Sequence, residues 1–329
     1  MRILLVGLGY RGYAPLYASA LSRLGHRVVL YEGTDHRALR ARIHRAMGVR
    51  LPGLLGIERD PLKLGQNRFA RWFRRAAPKT DFVLFVNSAS IATDATLDII
   101  HGQGAATGVW LLDEVETLPV SRLDYRAFGY HASFSAHQAS QLASGWGCDV
   151  SYVPQGYAPI GFVSRAASSG PLLLGAPYPS RRMAAEALVN AGFCVDLVGH
   201  TWGEYMDASP CVRLFDDVTL SESLALSSGG RICVNGHRTC VAGVSPRVFE
   251  IAAAGGVLVD DNPKSADFFE PGVEMITWRE ADEIPDWVSK LHREPELAIR
   301  LSKNAARRVV SEHIIDYRFA SLLRSWGYK

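Results

Sequence analysis

Short runs of aliphatic and β-branched residues alternate along the whole chain with stretches whose apolar positions recur every three or four residues. Continuous apolar runs bounded by turn residues read as buried strands, and the three-to-four repeat reads as helices laid over them. The pattern predicts strands at 2–6, 27–31, 81–86, 109–112, 130–134 and 150–153. A second series follows at 172–174, 195–198, 212–215, 231–234, 257–259 and 275–277. Strands buried on both faces and separated by helical crossovers belong to parallel sheets. The expected class is α/β, with two Rossmann-like, doubly wound parallel-sheet domains facing a central cleft.

Between the two series, PQGYAPIGFVSRAASSGP (154–171) is rich in Pro, Gly and Ser and reads as a connection. Three segments are expected: 1–165, 166–312, and a last helix, 313–329, packing back on the first domain. A chain of 329 residues suits two cores of about 150 residues each.

Composition narrows the setting. Hydrophobic residues at 48% and charged residues at 21% are those of a folded globular chain. The apolar opening RILLVG is too short for a signal peptide or a membrane span, and no uninterrupted apolar stretch approaches spanning length. A cytoplasmic protein is expected. Cys148, Cys194, Cys211, Cys233 and Cys240 are odd in number and contain no CxxC pair, so reduced thiols are expected, not a disulfide framework or zinc site. A net charge of +3 gives no reason to expect nucleic-acid binding.

Two regions carry candidate chemistry. Gly7, Gly9 and Gly12 form GxGxxG between the first strand and a helical stretch, and Glu32 ends the next strand. That is the dinucleotide fingerprint, in which glycines admit a pyrophosphate and the acid holds a ribose diol. An NAD(P)-dependent oxidoreductase is therefore one reading. The other is a tight turn on the acceptor side of a different two-domain enzyme, with Tyr10, Arg11 and Tyr13 beside the glycines.

In the second half, Ser180 is expected to cap a helix that carries Met183, Ala184, Ala187, Leu188 and Ala191 at helical spacing and stops at Gly192. Arg181 and Arg182 fall in its first turn, where the helix dipole disfavours cations and a diphosphate would compensate them. In NGHRTCVAGVSPRVFEIAAAGGVLVDD (235–261), Ser245 and Pro246 read as the cap and first residue of another helix. Arg247 again sits at the cationic end, and Glu250 stands on a face otherwise built for packing. A buried Glu250 needs a partner, which a ribose diol or Arg247 can supply.

These residues resemble a known family. A strand, the double arginine, RRMAAEALVNAGFCVDLVGHTW, Asn235 with His237, RVFEIAAAGGVLVDD and FFEPGVEMITW follow one another as in the C-terminal domain of GT-B glycosyltransferases. The likeness is to the group related to spore maturation protein CgeB, among the group 1 glycosyl transferases. It covers about residues 171–280, with weaker echoes in LLDEVETL and VPQGY.

The resemblance implies a GT-B fold and a hexosyltransferase-like enzyme. A nucleotide-sugar donor, UDP-sugar being the type, would be bound by Arg181, Arg182, Gly199, Asn235, Ser245, Pro246, Arg247 and Glu250, with Glu250 on the ribose. It implies no cofactor and no metal, the nucleotide sugar being a co-substrate, and a small-molecule or glycan acceptor. Where many retaining relatives carry a second acid eight residues before the ribose Glu, this chain has Ala242, which leaves the stereochemical outcome open.

The spacing shows no Asp-x-Asp or His cluster for a metal. Arg181, Arg182 and Arg247 are then the candidates to stabilise a departing diphosphate. Asp113, after the strand VWLL, is the first candidate for the acceptor's base. Glu114, His131 and His137 are weaker ones. RFARWFRRAAPK (68–79) interleaves aromatic and basic residues. The pattern suits peripheral contact with an anionic membrane, but more simply a solvated helix packed through Phe69 and Phe73. No oligomeric state follows from the sequence.

Overall fold

The computed structural model describes residues 1–8, 10–33, 61–77, 79–115, 124–164, 170–238 and 243–328. It divides into two compact units, Met1–Pro154 with Arg318–Lys329, and Gln155–Tyr317.

The first unit holds a six-stranded sheet, ordered β2-β1-β3-β4-β5-β6 and parallel throughout. Its strands are β1 (Arg2–Leu8), β2 (Arg27–Gly33), β3 (Phe82–Val86), β4 (Ala106–Leu111), β5 (Tyr130–Ser133) and β6 (Val150–Tyr152). Its helices include α1 (Tyr13–Arg23), α2 (Pro61–Ala76), α3 (Asp94–Gly102) and α4 (Ala136–Trp146). Leu4, Val6, Val83, Phe85, Val109 and Leu111 pack with Phe69 and Phe73 of α2 and Leu97 and Ile100 of α3. Side chains alternate along a strand, so the sheet's opposite face needs its own cover.

That cover comes partly from the far end of the chain. Phe319 of α10 (Ile315–Ser325) meets Trp110 and Tyr17 edge-on, and Trp326 stacks on Phe82 with centroids 5.8 Å apart. The Trp326 indole N–H donates to the His131 carbonyl at 3.2 Å.

The second unit repeats the plan with the order β12-β11-β10-β7-β8-β9, again all parallel. The strands are β7 (Leu172–Leu174), β8 (Val195–Val198), β9 (Val212–Phe215), β10 (Ile232–Asn235), β11 (Val257–Asp260) and β12 (Ile276–Thr277). The helices are α5 (Pro179–Asn190), α6 (Leu220–Ser227), α7 (Pro246–Ala253), α8 (Glu283–Arg293) and α9 (Pro295–Glu312). Leu173, Leu197, Val234 and Val259 meet Ala184 and Leu188 of α5, Val288 and Leu291 of α8 and Leu301 of α9. The chain leaves β7 for one edge and later returns from β10 to the other. The loops after these two strands therefore part above their carboxyl ends, as doubly wound sheets require for a binding crevice.

Two details differ from the sequence expectation. The division falls at Pro154 and not near 165, because Tyr157 already belongs to the second unit: its N–H donates to the His313 carbonyl, and its own carbonyl accepts from Ile315. The returning segment accordingly starts at Arg318. Among the described residues the cysteines are free thiols, as expected, and the Cys194 and Cys211 sulfurs lie 2.6 Å apart beside β8 and β9. Among the described residues, no helix is long and apolar enough to cross a membrane.

Trp326→Ala removes a ring that is 6% exposed from the face it shares with Phe82 and Tyr130. Large-to-small changes at such sites cost about 3–5 kcal/mol. We expect a markedly lower Tm and a lower urea midpoint by tryptophan-independent circular dichroism.

Candidate functional site

The C-terminal unit concentrates polar atoms where its strand order reverses. Gly175 follows β7 with φ +102°, and a Cβ there would lie 2.9 Å from Nη1 of Arg181 and 3.0 Å from Nη2 of Arg247. Two guanidinium groups thus converge on the space above one glycine. Arg181 reaches it from the first turn of α5, 4% exposed, with Nη1 donating to the Ala176 carbonyl at 2.8 Å. Burial first, and then the neighbouring Arg247 charge, push the Arg181 guanidinium down to about 9. Tyr178, Asp261 and Asp260 oppose that shift. An arginine stays charged in proteins, so this shift expresses an unfavourable buried charge, not a neutral side chain.

The loop after β10 forms the adjoining wall. A Cβ at Gly236 would lie 2.6 Å from Ser180 Oγ and 3.0 Å from the Arg181 backbone nitrogen, so only glycine lets this loop sit against the start of α5. Ser180 does not cap α5 as the sequence suggests. Tyr178 is the N-cap and Pro179 the first residue, while the Ser180 hydroxyl donates to the His237 carbonyl at 2.7 Å. His237 is held twice by Asp261, through its backbone N–H at 2.9 Å and its Nδ1 at 2.7 Å. Asn235 donates from Nδ2 to Asp260 at 2.6 Å, and Ser265 donates to the other Asp260 oxygen. Burial raises the Asp260 carboxyl above the usual carboxylate range, with His237 and those hydrogen bonds pulling the other way.

His237, Asp260 and Asp261 bring ligand-type atoms within 4.8 Å of one another. Sequence spacing could not show this group, because the histidine and the acids lie on different loops. The described hydrogen bonds already engage both Asp260 oxygens and the His237–Asp261 edge, which makes the group a polar brace in this structure.

Among the described residues, the buried side-chain atoms of this region that make no hydrogen bond include Nε of Arg181, Oδ1 of Asn235, Nε2 of His237 and Oγ of Ser245. Ser245 is the N-cap of α7 with Pro246 next, as expected, but its hydroxyl makes no capping bond. Each such atom costs roughly 1–3 kcal/mol when left unmade. Native proteins tolerate such a concentration where a ligand completes it. Glu250, on α7, is 4% exposed and close enough to Tyr157 to contribute, after burial, to raising that phenol.

Two other predicted donor residues stand apart in role. The Arg182 guanidinium lies 4.4 Å above the Tyr205 ring, so a cation–π contact holds it. Gly199, with φ +139°, admits the close approach of the Gly175 backbone, which a Cβ would meet at 2.8 Å. Ala242 lies outside the described residues.

In the N-terminal unit, Asp113 follows β4 and is exposed. Asn87, which follows β3 with φ +50°, donates from Nδ2 to the Asp113 carboxylate at 2.6 Å, and Gln138 donates to the Asp113 carbonyl at 3.3 Å. Asn87 and Gln138 carried no motif; only the parallel register brings the loop of Asn87 and the start of α4 to Asp113.

Gly9 lies outside the described residues. Tyr10, Arg11 and Gly12 form a short 3-10 turn in which Arg11 and Gly12 both have positive φ, and Tyr13 begins α1, stacked with Tyr17. A Cβ at Gly7 would meet that of Ala14 at 2.7 Å. Turn geometry and strand–helix packing therefore explain Gly7 and Gly12 without a bound phosphate. Glu32 is the penultimate residue of β2, exposed and in register with Gly7. His131 is structural: Nε2 bonds the Tyr125 carbonyl at 2.8 Å, and burial lowers its pKa. His137 is exposed on α4.

The family model described as glycosyl transferase-like matches residues 181–324. HepE from Anabaena, solved with UDP and glucose, is 13% identical with a TM-score of 0.65 over 99% of each chain. Sucrose-phosphate synthase from Thermosynechococcus elongatus is 14% identical with a TM-score of 0.63 over 99% of each chain. AviGT4, a glycosyltransferase involved in avilamycin A biosynthesis, is 18% identical with a TM-score of 0.59 over 98% of this chain and 97% of its own. No curated protein matches the sequence. At such identities the likeness is one of fold, and that fold is GT-B.

The buried cation at Arg181 gives a prediction of opposite signs. Arg181→Leu, replacing an uncompensated charge by an apolar group, should leave the ligand-free Tm unchanged or higher. Inorganic pyrophosphate should stabilise the native protein by about 2.7 kcal/mol at roughly a hundredfold excess over Kd, and should stabilise the variant by far less. Differential scanning fluorimetry reads both.

Proposed function

We propose that this chain, a GT-B glycosyltransferase whose glycosyl transferase-like domain spans residues 181–324, moves a sugar from a nucleoside diphosphate to a small-molecule or glycan acceptor without a metal ion. The observation that carries the reading is the convergence of Arg181 and Arg247 on Gly175, bordered by buried polar atoms without partners. A diphosphate brings negative charge to the two guanidinium groups and acceptor oxygens to the Arg181 Nε and the Ser245 hydroxyl.

Transfer breaks the bond between the anomeric carbon and the diphosphate oxygen, so negative charge grows on the leaving group. Arg181 and Arg247 stabilise that charge from a site largely closed to water, where fixed charges act more strongly than in solvent. The N–H groups at the start of α5 and α7 add to it. These cations do the work that a divalent ion does elsewhere, which is the basis of the metal-free reading. Glu250 binds the ribose hydroxyls as an acceptor of two hydrogen bonds. Asn235 and Ser245 complete the donor site, and Arg182 flanks it from its stack on Tyr205.

The N-terminal unit serves the acceptor, through the loop at Gly9, Tyr10, Arg11, Gly12 and Tyr13. Asp113 takes the acceptor's proton if the reaction inverts, and the Asn87 amide orients its carboxylate. HepE, a similar fold, has been solved with UDP-glucose, which favours UDP as the nucleotide. The reaction is assigned to the cytoplasm, where nucleotide sugars are made.

A thermal-shift panel of UDP, GDP, dTDP and NAD(P)H tests the donor side. One nucleoside diphosphate should raise Tm, and the shift should vanish in an Arg247→Ala, Glu250→Ala double variant. A shift with NAD(P)H alone that survives in the variant would overturn the proposal. Asp113→Ala should keep the nucleotide shift while turnover falls by roughly 100- to 10,000-fold, the usual worth of a general base.

A further inference from the structure

The donor site leaves one strongly charged feature of the N-terminal unit unused. Residues 61–79 contain six cations, Lys63, Arg68, Arg71, Arg74, Arg75 and Lys79, and no acid. The chain's net charge is only +3, so the remainder of the protein is net acidic. The positive charge is thus gathered on and just after α2.

The structure shows how the helix sorts its residues. Phe69 and Phe73 are buried among the strands, and Phe69 meets Tyr31 and Phe85 edge-on. Trp72 lies against Tyr31 with centroids 4.7 Å apart. Lys63, Asn67, Arg71, Arg74 and Arg75 are exposed. At 100° per residue these five fall within about a third of the helix circumference, opposite Phe69 and Phe73. From Lys63 to Arg75 the stripe runs about 18 Å, at 1.5 Å per residue. Among the described residues, none of its four cations has an ion-pair partner.

The helix dipole favours Arg74 and Arg75, which sit in the last turn. It does not explain the others. Lys63 stands in the first turn, where the dipole disfavours a cation. Arg71 repels Arg74 and Arg75 at i+3 and i+4. An ordinary solvated helix face intersperses acids with bases and avoids both conflicts. A flat anionic surface resolves them, because it meets every cation of a straight stripe at once.

We propose that the exposed face of α2 docks the enzyme on an anionic lipid bilayer, by charge and without insertion. The aromatic rings of α2 are engaged inside the unit, so none remains to enter the bilayer or to stack on bases as single-stranded nucleic acid requires. Docking of this kind holds the N-terminal unit at a membrane surface through weak, salt-sensitive contacts. It is independent of the donor site and of the identity of the sugar.

The test is flotation of the full-length protein with phosphatidylcholine vesicles, with and without phosphatidylglycerol, at low and high salt. Wild type should float only with the anionic vesicles and detach at high salt. The Lys63→Gln, Arg71→Gln, Arg74→Gln variant should partition roughly a hundredfold less, each cation near such a surface being worth about a fivefold factor. A control that neutralises the exposed Arg293, Arg300 and Lys303 of the other unit should float like wild type. The α2 variant should keep its Tm and its response to pyrophosphate, which separates lost docking from lost folding. No flotation of wild type, equal flotation with neutral vesicles, or undiminished flotation of the α2 variant would each overturn the proposal. So would binding of heparin or single-stranded RNA through these residues without any vesicle binding.

Discussion

The guanidinium groups of Arg181 and Arg247 share the space above Gly175, and much of the C-terminal unit can be understood from that constraint. Like charges at such range repel, and burial of Arg181 removes the water that would screen them. The fold accepts this because strong features hold the two helices that carry them. α5 is fixed by Ala184 and Leu188 in the core, and α7 by Val248, Phe249 and Ile251. Neither arginine can retreat without dragging a packed helix. The two cations are therefore held together without any bound anion, the preorganisation on which the proposed stabilisation of a leaving group depends.

The neighbouring acids act mainly as a brace. Asp261 holds both the backbone and the ring of His237, and Asp260 ties Asn235 to Ser265. This fixes the loop after β10 against the start of α5, so the polar atoms that lack partners are also the ones that cannot move to find them. Stability is spent where the chemistry needs rigidity, the usual exchange at a functional site.

The N-terminal unit illustrates why one motif has two meanings. GxGxxG is a statement about backbone: a strand, a tight turn and a helix that starts close to the sheet. Ala14 against Gly7 and the positive φ of Gly12 satisfy that statement completely. The polar pair at the ends of this sheet lies farther along, where the parallel register sets Asn87 beside Asp113. Within the same unit, Phe319 and Trp326 show how a distant segment completes a core that the first six strands leave uncovered.

By itself the sequence determined the strands, the doubly wound class and the family likeness, because each rests on local periodicity and on motifs read in order. Arg181, Arg247 and Glu250 were legible for the same reason: a cation at the wrong helix end, or an acid on a packing face, is a local contradiction. Tertiary structure alone decided what these residues meet. Arg182 leaves the group to stack on Tyr205, and Ser180 gives its hydroxyl to His237 instead of capping its helix. His237, Asp260 and Asp261 come together, and Tyr157 joins the second unit through His313 and Ile315. Such pairings join loops many residues apart, and their geometry follows from strand order and register, which no local pattern encodes.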